Sequence, residues 1–256
     1  LRLWEHVQSP FLSSNGVMNG GFTAPRLGMR WDPAVSEIGI VARDLELARY
    51  LDVGIHLQHI SAARSVALIR QAKKDGVRVT AEACPHHFSL TEEAVKTFDP
   101  NTKVNPPLRT AADVAALKEG LRDGTIDCIA TDHAPHTVED KESGFDLAPF
   151  GMIGLETALG LAVSELVEPG ILTLPQLVDR MSAAPARIMG LTARGEVAEG
   201  READLIIVDP DAEWVVRAED FASKARNSPF IGRTLKGRVL ATICAGRVVY
   251  EAPPAG

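Results

Sequence analysis

Asp127-Cys128-Ile129-Ala130-Thr131-Asp132-His133-Ala134-Pro135-His136 is the stretch whose reading decides the fold. An apolar run leads straight into one carboxylate and two imidazoles, and Pro135 argues against continuation as a helix. It reads as a buried strand with chemistry at its C-terminal end. In parallel α/β folds, polar groups at the carboxyl ends of strands line the site, whereas in mid-strand they carry an uncompensated burial cost. Asp132 is therefore the residue to explain.

Working outward, the preceding segments repeat one pattern. Leu1 to Val7 alternates apolar with polar residues as a strand does, and Gln8 to Gly28 is rich in turn residues. Ile38, Val41, Leu45 and Ala48 recur at helical spacing between Pro33 and Tyr50. Gly54 to Ile60 is a short strand, and Ser61 is suited to cap a helix reaching about Lys74. Val77 to Ala83 is the next strand, opening into Cys84-Pro85-His86-His87. Lys103-Val104-Asn105-Pro106-Pro107-Leu108-Arg109 has two prolines and no period, the mark of an ordered loop. Thr110 then caps a helix from Ala111 to Leu121, with Asp113 in the capping-box position. Strands and helices alternate with crossovers long enough for parallel pairing, which a β/α barrel and an open doubly wound sheet both satisfy.

Beyond the Asp132 cluster come Phe150-Gly151 and two helical stretches, Leu155 to Leu166 and Leu174 to Ala183. From Gly195 the chain reads as short strands with glycine turns: 195–200, 203–210, 214–216 and 238–250. This tail looks like part of a small β-sandwich. The expected domains are 1–190 and 191–256.

The 256 residues are 45% hydrophobic and 24% charged, enough for a sizeable core and against disorder. A net charge of -7 offers no basic surface for nucleic acid or anionic lipid. No run approaches the roughly 18 to 20 apolar residues of a membrane span. Cys84, Cys128 and Cys244 are widely spaced and odd in number, so they suggest no disulfide framework and fit a reducing, cytoplasmic setting. A small molecule is the expected ligand.

All seven histidines lie before position 137. His6, His59 and Asp132 each follow a strand, and imidazole nitrogen with carboxylate oxygen is the donor set of a catalytic zinc. Alone, either histidine reads more readily as a hydrogen-bonded structural residue and Asp132 as a turn cap; three arriving from separate strand ends point to a metal. His86 and His87 are adjacent, cannot both face one site in an extended chain, and read as structural. His56 reads as packing, His133 as a residue orienting Asp132 or its loop, and Cys84 and Cys128 as small buried residues.

Four segments in this order, 56–61, 79–87, Lys103 to Arg109 and 130–136, resemble the class I (bacterial-type) dihydroorotases of the amidohydrolase superfamily, metal-dependent β/α barrels. The likeness extends through Asn227-Ser228-Pro229-Phe230-Ile231-Gly232 and the β tail. The resemblance implies part of a (β/α)8 barrel, about its last four strands, plus part of a small β-sandwich. It implies His6, His59 and Asp132 as zinc ligands, Asp132 also as general acid/base, and Asn105, His136, Phe150 and Gly151 as substrate contacts. The implied reaction is the reversible cyclisation of N-carbamoyl-L-aspartate to dihydroorotate in pyrimidine biosynthesis. A bound divalent ion acidifies water and polarises a carbonyl, and proton transfer by Asp132 is worth roughly 100- to 10,000-fold.

The family places a His-x-His pair on its first barrel strand and an aspartate on its fourth; neither is in this chain. The expectation is therefore a C-terminal part, with one or two zinc ions and the remaining ligands supplied from an N-terminal part. Such a piece has open sheet edges and favours association; a homodimer and an aspartate transcarbamoylase complex are the protein partners considered. His6-Val7-Gln8-Ser9 stands where the family usually has Cys-Glu-Asp after its histidine, which removes two acids. The alternatives are an allantoinase or hydantoinase, against which the 103–109 run argues, and a non-catalytic subunit scaffolding aspartate transcarbamoylase.

Overall fold

The computed structural model describes residues 3–253. Its strands are β1 (Leu3–Glu5), β2 (Met18–Asn19), β3 (Trp31–Asp32), β4 (Ile55–Leu57), β5 (Val79–Ala83), β6 (Cys128–Ile129), β7 (Leu205–Val215), β8 (Thr234–Cys244) and β9 (Arg247–Glu251). The chain folds as two compact units, residues up to 156 with 218–229, and residues 157–217 with 230 onward.

In the first unit β1, β4, β5 and β6 form one sheet in that order, all parallel, with β1 and β6 at its edges. Leu1 and Arg2 of the expected first strand lie outside the described residues. Helices Val35–Leu51, Ala63–Lys74 and Ala111–Asp123 alternate with the strands. Each buries one stripe: Val41, Leu45 and Ala48 on the first, Val66, Ile69 and Ala72 on the second, Leu117 and Leu121 on the third. Gly120 permits their close packing, because a Cβ there would stand 3.0 Å from Val66 and 3.1 Å from Ile126.

Two caps show how local and tertiary signals divide. Thr110 and Asp113 form the expected capping box. Ser61 does not cap its helix; the Ala62 position does, with no side-chain bond of its own. The Ala62 amide donates to Glu37 (3.0 Å), the Ala63 amide to Asp113 (2.8 Å), and Ser61 itself donates to Glu37. Carboxylates from two other helices thus satisfy the free N–H groups of this one.

The second unit carries helical segments between 158 and 189 and an antiparallel sheet ordered β7-β8-β9. The two strands expected over 203–216 are one strand, β7, with register shifts against β8. The strand expected at 195–200 is absent, and Gly195 and Gly200 adopt positive φ, which extended pairing does not use. The stretch 238–250 is a hairpin turning at Ala245-Gly246. Ile206, Ile207, Val248 and Val249 are exposed on this sheet.

Candidate metal centre

Parallel pairing delivers the candidate ligands to one end of the sheet. His6 follows β1 directly, His59 lies two residues beyond β4, and Asp132 three beyond β6. His59 (φ 35°) and Asp132 (φ 47°) both sit in the left-handed region, uncommon for such residues and typical of functional sites. His6 Nδ1 and His59 Nε2 face each other at 2.7 Å, the rings nearly edge to face.

The partner of the other His6 nitrogen sets its tautomer. His6 Nε2 is 3.2 Å from Gln8 Oε1, an oxygen that can only accept, so Nε2 carries the proton and Nδ1 offers a lone pair. Gln8 is itself fixed: its amide nitrogen donates to Asp32 Oδ2 (2.6 Å) and Asn105 Oδ1 (2.7 Å), and Asn105 Nδ2 returns a bond to Oε1 (2.8 Å). Asp32 in turn accepts from Ser36, and its carbonyl from Arg109 Nη1 (2.8 Å). Arg109, 2% exposed, also reaches Asn19 Oδ1 (2.9 Å) and Ser61 Oγ (3.1 Å). One buried guanidinium therefore ties the β2–β3 segment, the start of the 63–74 helix and the 103–109 loop together.

His59 is buried, and its Nδ1 has no hydrogen-bond partner among the described residues. Burial first, then the neighbouring His6, lower its pKa; the charges of Asp132 and Glu82 oppose this. The ring is thereby kept neutral, the form that ligates. Glu82 lies behind it, accepting from His56 Nε2 (3.0 Å) and, at 3.4 Å, from the His59 amide. His56 is wholly buried, bonded also to Thr80 (2.8 Å) and packed at a tilt against the Trp4 ring, centroids 4.1 Å apart.

His86 and His87 depart from the extended-chain expectation. They lie on a helical turn, Pro85–Ser89, that lets both point inward, and both are buried. His87 Nε2 donates to the carbonyl of Pro106 (2.8 Å), bracing the Asn105 loop. Burial, reinforced by His59, holds His86 at a pKa of about 3. Cys84, His86 and His87 bring their donor atoms within 4.8 Å of one another, as do His56, Glu82 and Cys128. Burial pushes the Cys84 thiol up, helped by Asp132 and Glu82.

The candidate substrate contacts form two groups. Asn105 joins His6 through Gln8, as above. His136 Nε2 donates to Phe150 O (2.8 Å), while Asn227 takes the His136 amide (3.1 Å) and donates to the Ala134 (2.9 Å) and Gly151 (3.2 Å) carbonyls. A cleft of about 260 Å³ runs past His136, Lys141, Arg226 and Asn227. His133 Nδ1 accepts from the Gly154 amide (3.1 Å), so its ring holds the loop. Gln8, Asp32, Glu82 and Asn227 are participants that single-residue reading does not single out. Most of their partners lie 23 to 97 positions away, and of the four only Glu82, within 79–87, and Asn227, within 227–232, fall in segments that carry the resemblance.

Residues 39–249 match the family model described as the amidohydrolase family. The chain is 54% identical over 246 residues to the dihydroorotase of Pelotomaculum thermopropionicum, covering 96% of this chain and 57% of that protein. It is 50% identical to the dihydroorotase of Endomicrobium trichonymphae, covering 96% and 58%. The chain thus spans little more than half the length of these curated relatives. Among solved structures, L-hydantoinase (dihydropyrimidinase) from Arthrobacter aurescens superposes with a TM-score of 0.88 at 30% identity, over 98% of this chain and 57% of that one. Dihydropyrimidinase from Brevibacillus agri, at 24% identity and TM-score 0.87 over the same shares, shares the fold. Four parallel β/α units with ligand-type residues at their carboxyl ends, a partial β/α barrel, and in the other unit a small antiparallel sheet agree with that match: the chain belongs to the amidohydrolase family.

Proposed function

We propose that this chain carries part of the machinery of a dihydroorotase, a zinc-dependent enzyme that reversibly cyclises N-carbamoyl-L-aspartate to dihydroorotate for pyrimidine biosynthesis in the cytoplasm. In this reading residues 1–190 belong to the barrel and 191–256 to part of a sandwich. The observation that carries it is the His6–His59 pair: two imidazole nitrogens at 2.7 Å, one with its lone pair forced toward the other. That donor set, with the Asp132 charge acting on the same ring, fits a divalent ion of the zinc class. When bound, the ion supplies an acidified water and polarisation of the scissile carbonyl.

The residues of the chain do the rest. His6 and His59 are the ligands, His6 oriented by its Nε2 contact with Gln8 and His59 kept neutral by burial. Asp132 is a ligand and the group that takes a proton from water and returns it to the departing amide nitrogen. Asn105 can donate and accept at a ureido or imide edge, and His136 with the Phe150-Gly151 backbone orients the substrate carboxylate. The dihydroorotase names of relatives at 50 to 54% identity support this substrate over a hydantoin. The test is turnover by the full-length protein of dihydroorotate, hydantoin and allantoin, with and without chelator. Chelator-sensitive hydrolysis of dihydroorotate is expected; preference for another ring, or metal-independent turnover, contradicts the reading.

No helix among the described residues is long and apolar enough to cross a membrane.

A further inference from the structure

Residues 144–151 lack regular structure beyond a short turn, yet their carbonyls are met by side chains. Lys103 Nζ donates to the Asp146 (3.0 Å) and Ala148 (2.6 Å) carbonyls, and Lys141 Nζ to Pro149 O (2.8 Å) and, across the loop base, to Pro100 O (3.0 Å). His136 takes Phe150 O and Asn227 takes Gly151 O. The Lys103 carbonyl receives the Gly151 amide (2.8 Å), and its ammonium lies 4.7 Å from the Phe150 ring centre. Both lysines are about 95% buried or more.

Two ammonium groups held under one loop are costly. Burial disfavours the charge on both, and Lys103 adds like-charge repulsion to Lys141. The facing ionisable groups are Asp99 for Lys141, and Asp146 and Arg30 for Lys103. Apolar side chains would fill this volume without that cost; what they could not do is donate to four carbonyls in an irregular backbone.

We propose that Lys103 and Lys141 are positioning residues of the substrate site, a paired clamp that holds the 146–151 backbone in the shape through which Phe150 and Gly151 meet substrate. The clamp rests on the reading of that dipeptide as a substrate contact. Neither lysine touches the reacting atoms. Their effect is on substrate capture, and the metal ligands lie elsewhere in the unit.

The test compares full-length wild type with Lys103→Met, Lys141→Met and Lys141→Arg, measuring kcat, KM for dihydroorotate, zinc content and amide exchange across 144–151. Each Met variant is expected to raise KM roughly 10- to 100-fold, the factor that one lost hydrogen bond to a charged group represents. Expected with this are kcat within about threefold, unchanged zinc content and faster exchange in the loop, with Lys141→Arg restoring most of the KM. Unchanged KM and exchange in folded Met variants overturn the proposal, as does a loss confined to kcat or zinc. If a Met variant fails to fold, Lys141→Arg and Lys103→Arg decide: wild-type KM and exchange support the clamp, and failure of both to hold the loop overturns it. If wild type has no dihydroorotase activity, that reading of the substrate falls, and exchange across 144–151 alone judges the clamp.

Discussion

His6 Nδ1 and His59 Nε2 lie 2.7 Å apart although 53 residues separate them in the chain, because β1 and β4 pair in parallel and release both histidines at the same sheet end. At that separation one ring must donate to the other or both must share a cation. Gln8 leaves His6 Nδ1 as an acceptor for a proton or a cation, since it holds the proton on the far side of His6. Gln8→Leu should weaken zinc affinity of the full-length protein about 10- to 100-fold without removing a ligand. Competition with a chromophoric chelator measures this; unchanged affinity would show that Gln8 does not set the tautomer.

Gly151 is the residue the loop cannot replace. Its φ of 120° is strained for any L side chain, and a Cβ would stand 2.5 Å from that of Ala134. Gly151→Ala should shift the backbone proposed to receive substrate and raise KM about tenfold, the equivalent of about 1.4 kcal/mol. Steady-state kinetics on dihydroorotate read this, and a wild-type KM would place the substrate elsewhere.

Arg109 is the tie between three segments, and its loss leaves Asn19, Ser61 and the Asp32 carbonyl without their buried donor. Arg109→Met should cost about 3 to 5 kcal/mol of stability. Urea unfolding of the full-length protein tests it, and a loss below about 1 kcal/mol would mean that water replaces the guanidinium.

Acid should unfold the protein partly through His86. Its folded pKa of about 3 lies below the ordinary imidazole value of 6.5, so between those limits the unfolded chain binds a proton that the folded chain does not. Stability from this group is complete above pH 6.5 and falls as pH drops toward 3. His86→Leu should make the dependence shallower there by up to about 1.4 kcal/mol per pH unit. Identical slopes for wild type and variant would show that the ring is protonated in the fold.

Much of this architecture is legible residue by residue. Val41, Leu45 and Ala48, or Thr110 with Asp113, declare a helix and its start within one turn of chain. His6 and His59 stand out as candidate ligands because functional side chains in a parallel sheet gather where strands end. What stays hidden depends on partners far away in sequence. Ser61 has the right chemistry for a cap, but Glu37 and Asp113 take that task from other helices. Gln8 looks like one more turn residue until Asp32 and Asn105 fold against it. The buried lysines, 103 and 141, carry no local sign of burial, since a lysine in a loop ordinarily reaches water. Glycine turns at 195 and 200 mimic the punctuation of a strand without the pairing.

The measurement that bears most directly on the central claim is anomalous diffraction at the zinc edge from crystals of the metal-loaded full-length protein. The account predicts a peak about 2.1 Å from His6 Nδ1 and His59 Nε2, with Asp132 in the same coordination shell. A peak at Cys84, His86 and His87 with none between His6 and His59, or no peak at all, would contradict it.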